Sequence, residues 1–299
     1  MSTALATEHD RIDYVAMSGR PVLRRRRPGQ LAAVVVLLLL VAWAIGTLIT
    51  NDGFDWPVVG RYLLDTRILS GLLVTIELTV VAEVIGIVGG LLLAVMRMSD
   101  SRVISGTAGA YVWFFRGTPL LVQLLFWGFA AALFPRVGLG VPFGGPLFVS
   151  WDTNHVISLM TAAILGLGLN EAAYTAEVVR AGLLSVPKGQ TEASRAMGFG
   201  RTRTLRYVVV PQAMKVIIPP IGNNVNAMLK TTSLVVVIGV GDVLYNAQQI
   251  YAKNLEQIPL LIVASIWYLV LTTLVGLGQS RLERRFSRDA VPLTLREAR

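Results

Sequence analysis

Cysteine is absent from the 299 residues, which excludes a disulfide framework, a thiol nucleophile, a cysteine-ligated zinc and a lipoprotein anchor. Histidine occurs only twice, as His9 and His155. No Ser/His pair and no H-E-x-x-H spacing appears, so neither an intramembrane enzyme nor a metal centre is expected. A G-x-x-x-x-G-K-[ST] phosphate loop is also missing, so the chain is not expected to bind ATP, and no cofactor is implied. Charge is scarce. Only 15% of residues are charged, against roughly 25% in soluble domains. What is abundant is apolar: 54% of residues are hydrophobic and the mean hydropathy is +0.62. A water-soluble fold has too little core volume for such a chain, whereas lipid accepts it as solvent.

Leu31 to Thr50 is a nearly unbroken aliphatic run, about one bilayer crossing at ~1.5 Å per residue. A signal peptide would have a shorter apolar core and a clear A-x-A-like site. Ala42-Trp43-Ala44-Ile45 resembles one weakly, so this reads as an uncleaved helix. Further apolar stretches run over about 69–96, 111–134, 155–178, 207–240 and 258–279. The expectation is an all-α polytopic membrane protein with about six transmembrane helices. The fifth stretch is too long for one straight crossing. Pro211, Pro219 and Pro220 are expected to interrupt it, and Lys230-Thr231-Thr232-Ser233 to divide it again. Broken spans of this kind point to a transport path.

The net charge of +9 would suit nucleic acid, but the basic residues gather in short segments flanking apolar runs, so no nucleic-acid partner is expected. They occur in the N-terminal tail, after the second span, through 180–215 and in the C-terminal tail. The alternate loops hold only Arg61, Arg67, Arg136 and Lys253, and Lys230 falls inside a span. By the positive-inside rule both termini are cytoplasmic.

The long loop between the fourth and fifth spans carries the functional signal. Ser185 is placed to cap a short helix with Pro187 in its first turn. Ala193, Ala196 and Met197 follow at i, i+3 and i+4, a narrow apolar stripe. Gly198 and Gly200 suit a left-handed ending. A helix of about ten residues is marginal alone; it is either sustained by docking into a partner or packed as an ordinary connection on its own helices.

Glu192-Ala193 followed by Gly198, with Pro211 beyond, resembles the E-A-A-…-G-…-P signature of binding-protein-dependent ABC importer permeases. Ser194 stands at the third position, a departure that keeps the side chain small. Phe115-Arg116-Gly117-Thr118-Pro119-Leu120-Leu121-Val122-Gln123, Ala173-Tyr174-Thr175-Ala176-Glu177, Pro211-Gln212-Ala213-Met214, Pro219-Pro220-Ile221-Gly222-Asn223 and Met228-Leu229-Lys230-Thr231-Thr232-Ser233-Leu234 resemble its polar-amino-acid branch, the histidine/arginine/glutamine type. The resemblance implies a five-helix type I importer permease domain at about 69–283, with coupling loop 180–206. To this are added a basic cytoplasmic tail (1–30), an extra N-terminal helix (31–50) and a C-terminal tail (284–299). It implies an inner-membrane permease that moves a polar amino acid inward. Its ATPase would be a separate subunit docking on 185–200 through Ser185, Pro187, Gly189, Glu192, Ala193, Ala196, Met197 and Gly198. Other implied partners are a second permease, identical or homologous, an extracytoplasmic substrate-binding protein and membrane lipid. Alternatives are a permease for another small polar solute, an exporter, or a stand-alone secondary transporter, which would need no such loop.

Ionisable residues within a span line cavities or pair with one another. Glu77, Glu83, Asn170, Glu171 and Tyr174 are candidates for the substrate path, with Asn223 and Asn226, alongside Asn224, on the fifth stretch. Glu171 is the leading one, since a carboxylate there could hold an ammonium or a cationic side chain. The competing reading is a structural bridge to Lys230 or Arg116. Glu77 could simply reach water, Glu83 could hydrogen-bond between helices, and the asparagines could fasten broken backbone. Arg116 and Thr118 are expected to brace the coupling region.

Overall fold

A computed structural model of the chain describes residues 28–140 and 147–287. Contacts divide the chain into two compact units after Phe54. In the first, helix α1 (Pro28–Thr50) opens on a proline, whose missing donor costs nothing at that position. Its side chains from Ala32 to Ala44 are exposed. Thr47 and Thr50 donate their hydroxyls to carbonyls one turn back, at 2.9 Å each.

The second unit is built in chain order from α2 (Trp56–Leu63), α3 (Thr66–Arg97), α4 (Arg102–Gly117), α5 (Leu120–Gly128) and α6 (Ala130–Leu133). A small hairpin follows, β1 (Arg136–Gly140) against β2 (Leu147–Asp152), antiparallel with Arg136 facing Asp152. Then come α7 (Thr153–Val156), α8 (Leu159–Leu184), α9 (Lys188–Ala196), α10 (Arg201–Thr204) and a π-turn (Leu205–Val209). The chain continues through α11 (Val210–Thr231), a 3-10 segment (Thr232–Ile238), α12 (Val243–Asn254) and α13 (Gln257–Ser287).

Caps written in the sequence start the long helices. Asp65 accepts from the Arg67 amide at 2.9 Å to open α3, and Ser158 accepts from Thr161 to open α8. The Arg67 guanidinium also grips the Asp65 carboxylate at 2.9 Å, and that hydrogen bond holds the Asp65 carboxyl below the usual carboxylate range. Asp242 caps α12 through the Tyr245 amide and receives the Tyr268 hydroxyl of α13, both at 2.8 Å.

The most extensive helix pair is α3 with α8, and small residues make it possible. A Cβ added at Gly86 would lie 2.5 Å from the Glu171 side chain, and one at Gly90 would lie 2.5 Å from Thr175. One apolar core gathers Leu78, Leu124, Leu167 and Val235 from α3, α5, α8 and the 3-10 segment. Another gathers Val59, Ile68, Val243 and Leu260 from α2, α3, α12 and α13.

Among the described residues, Ala32–Thr50, Thr66–Arg97 and Gln257–Arg285 are helices long and apolar enough to cross a membrane. Arg201–Ile238 with Val243–Asn254, bent by 47°, would count as a fourth. The sequence reading of about six differs from this at the interrupted and polar spans. The stretch 111–134 is not one helix, because the chain breaks at Thr118-Pro119 between α4 and α5. Pro119 excludes the α region for Thr118, which is extended at ψ 142°. In α8 the Asn170-Glu171 pair interrupts the apolar run.

The expected interruption at Pro219-Pro220 is absent: α11 runs straight through both. Each proline removes one donor but keeps a helical φ, so the helix can continue with two fewer backbone donors. The irregular backbone lies instead before and after α11, in the π-turn and the 3-10 segment.

Candidate functional site

Glu171 sits on the buried face of α8, 7% exposed. Its Oε1 accepts the Thr175 hydroxyl at 3.0 Å and the Asn224 side-chain amide of α11 at 2.8 Å. The first contact is fixed by one helical turn, the second by the packing of α11 on α8. Neither Lys230 nor Arg116 pairs with it, so among the described residues the bridge reading is not realised. Arg116 instead lies over the Tyr174 ring at 5.2 Å. Glu83 of α3 is buried at 5% exposure, within Coulombic reach of Glu171. Among the described residues neither of its enclosed oxygens has a hydrogen-bond partner, against the reading of a satisfied interhelical hydrogen bonder. Two carboxyls are thus brought together with two neutral donors and, among the described residues, no cation, an arrangement suited to receiving a cationic group.

The other candidates scatter. Glu77 is exposed on α3. Asn170 donates to the Phe115 carbonyl at 2.9 Å and to Gln123 Oε1 at 3.3 Å, so it fastens the α4–α5 break rather than facing Glu171. Gln123 does the same work from the other side. Its amide donates to the Phe115 and Thr118 carbonyls and to the Thr118 hydroxyl. In the sequence it closes the Phe115–Gln123 motif that carries the family resemblance, but nothing there gives it a structural role. Asn223 is exposed and accepts from Gln279 at 3.0 Å. Asn226 has an enclosed Oδ1 with no partner among the described residues. Of the three asparagines, Asn224 meets Glu171, and sequence alone could not choose it.

The 185–200 segment forms a short helix, with corrections. Ser185 ends α8 and donates to the Gly182 carbonyl at 2.7 Å; it does not cap α9, whose cap position is Pro187. The preceding turn simply leaves the Ser185 hydroxyl nearer the open carbonyls of α8. Gly198 takes the left-handed conformation at φ 81°, whereas Gly200 is extended and begins α10. Glu192, Ala193, Ala196 and Met197 are exposed, and so is Gly189. Ser194 is buried, and its hydroxyl bonds that of Thr204 at 2.9 Å, tying α9 to α10. Nearby, Glu177 of α8 pairs with Arg180 at 2.9 Å and Arg97 at 3.7 Å.

Residues 86–288 match the family described as "Binding-protein-dependent transport system inner membrane component". The arginine transport system permease protein ArgU of Corynebacterium glutamicum is 44% identical, covering 91% of this chain and 85% of the relative. The L-cystine transport system permease protein TcyB of Bacillus subtilis is 34% identical over 83% and 96%. The glutamine transport system permease protein GlnP of Escherichia coli K12 is 32% identical over 78% and 97%. Among solved structures, a chain of an amino acid ABC transporter with histidines superposes with TM-score 0.62 at 37% identity, covering 73% of this chain and 94% of its own. A chain of the inward-facing MetNI methionine ABC transporter, 22% identical, matches in fold with TM-score 0.56 over 76% and 97%.

Proposed function

Because this chain belongs to the binding-protein-dependent transport system inner membrane components, as a permease subunit of an amino-acid ABC importer, we propose that its cargo is a cationic amino acid. The carrying observation is Glu171, a carboxyl buried on α8, with Glu83 nearby and, among the described residues, no cation on either. A guanidinium or ammonium would gain charge-assisted hydrogen bonds there. The arginine permease among the relatives, 44% identical, agrees with that charge.

We further propose that α9 is the contact for a separate ATPase subunit. Glu192, Ala193, Ala196 and Met197 would form its docking face, and Gly198 the turn that fixes its angle. A second permease copy or homologue completes the pathway, and an extracytoplasmic binding protein delivers cargo. The basic-residue distribution supports an inner-membrane orientation with both termini cytoplasmic. On this reading α1 is an addition preceding a permease domain at about 69–283.

The test is uptake of labelled arginine and glutamine by vesicles holding the assembled transporter. Glu171→Gln should depress arginine uptake more than glutamine uptake, with the ATPase still copurifying. Equal kinetics in variant and parent for both amino acids would remove Glu171 from the path.

A further inference from the structure

The permease reading leaves unexplained a cavity of about 430 Å³ behind α9. Its walls come from the end of α3, the end of α8, the inner side of α9 and the α10–π-turn segment. The lining is amphipathic: Val95, Met98, Leu183 and Leu205 supply apolar surface, and Arg195 and Arg201 supply charge. Two other cavities, of about 360 and 370 Å³ around Phe126 and Leu133, are almost wholly apolar. The two arginines are poorly used within the chain. Arg195 makes no side-chain hydrogen bond or ion pair among the described residues. Among the described residues Arg201 pairs with Asp100 alone, at 3.8 Å, with both side chains largely in the open, a contact worth little.

A second feature meets this cavity. Val80, Val84, Val88, Leu92 and Val95 form an exposed apolar stripe along α3, at steps of four, four, four and three. The stripe follows the helix for most of a membrane crossing and ends in the cavity wall at Val95. Arg97 closes the apolar span two residues later, so the cavity lies at the depth of lipid phosphates.

We propose that this cavity is a binding site for an anionic phospholipid, with its phosphate held at Arg195 and Arg201 and an acyl chain laid along the α3 stripe. A free phosphate would leave the apolar lining and the stripe without a role. A neutral lipid would leave the arginines without one. Since α9 supplies one wall, a bound lipid would also brace the helix assigned to the ATPase contact.

The experiment uses the full-length chain assembled with its ATPase in nanodiscs. These contain traces of phosphatidylglycerol or phosphatidylcholine bearing the same photoactivatable acyl chain. Phosphatidylglycerol should label peptides spanning 92–99 far more than phosphatidylcholine, with a preference of about fivefold per arginine. Arg195→Gln with Arg201→Gln should bring that labelling down to the phosphatidylcholine level. The phosphatidylcholine signal itself reports whether the variant is intact. Val95→Trp, which fills the apolar end and leaves both arginines, should also lose the preference. Millimolar inorganic phosphate should not compete. Equal labelling by the two lipids, an unchanged preference in the double variant, full competition by phosphate, or no labelling of α3 because a second protein covers the stripe would each overturn the proposal.

Discussion

At the scale of single residues, the informative contrast is between Glu171 and Glu83, two buried carboxyls treated differently. Glu171 has Thr175 and Asn224 as donors, and Glu83 has none among the described residues. Hydrogen bonds to a charged group contribute about 1.5–3 kcal/mol. Glu171→Gln, which keeps the shape and removes the charge, should therefore raise the KM for a cationic cargo by roughly ten- to a hundredfold. A neutral cargo should be much less affected, and transport assays with both cargoes would check this. Glu171 was legible in the sequence because an ionisable residue in an apolar run is expensive and so conspicuous. Its partner was not, because Asn223, Asn224 and Asn226 differ only in helical phase, and the facing helix that decides between them is 53 positions away. Gly198 was legible for a related reason, as glycine after a short polar helix marks a left-handed ending. A β-branched side chain at its φ of 81° would cost about 1–2 kcal/mol. Gly198→Val should unravel the end of α9, seen as new proteolytic cleavage near 196–200, and should lower cargo-stimulated ATP hydrolysis in the assembled transporter.

At the scale of elements, the α3–α8 pair shows what hydropathy can and cannot tell. Two apolar runs announced two helices. That they would be the closest pair rests on Gly86 and Gly90, which admit the Glu171 and Thr175 side chains where a Cβ would collide. In lipid, such close approach takes the place of a hydrophobic drive between helices. Gly90→Leu should force α3 and α8 apart and abolish stable assembly, measured as loss of a monodisperse peak on size exclusion in detergent. Proline misled in one place and guided in another. At Thr118-Pro119 it ends a helix, and Gln123 and Asn170 satisfy the carbonyls freed there. At Pro219-Pro220 the helix continues, because a proline's own φ is helical and a partly buried helix packed against protein tolerates two missing donors. The start of α3 offers a titration. The native Asp65 pKa lies below its ordinary value, so its contribution is present above the unfolded carboxylate range and is lost as pH falls through the native value. Asp65→Asn should lower thermal stability slightly at pH 7, with the gap closing as pH falls below the ordinary carboxylate range. A gap that persists in acid would show that the Arg67 pairing does not contribute.

At the scale of the whole molecule, charge distribution is the ground for the expected topology and the buried network the ground for the proposed site, and the two have different reach. Basic residues record the insertion process directly, so orientation could be argued without any knowledge of packing. The hairpin β1–β2 left no such trace, since its strands are only five and six residues long and are rich in apolar residues like the spans around them. Orientation is also the easiest global property to test here, because the absence of cysteine means that a single introduced thiol is the only one. Ser150→Cys in β2 and Gln190→Cys in α9 both fall at exposed positions. If α9 faces the cytoplasm, a membrane-impermeant maleimide should label Ser150→Cys in intact cells and Gln190→Cys only after permeabilisation. Ser18→Cys and Ala290→Cys, one in each terminal tail, should behave like Gln190→Cys. Labelling of Gln190→Cys from outside would put α9 beyond the reach of any cytoplasmic ATPase and remove the energy-coupling reading with it. The expected pattern, joined to loss of Gln190→Cys labelling when the ATPase is present, would place the energy source against α9, with the Glu171 site well up α8 from that contact.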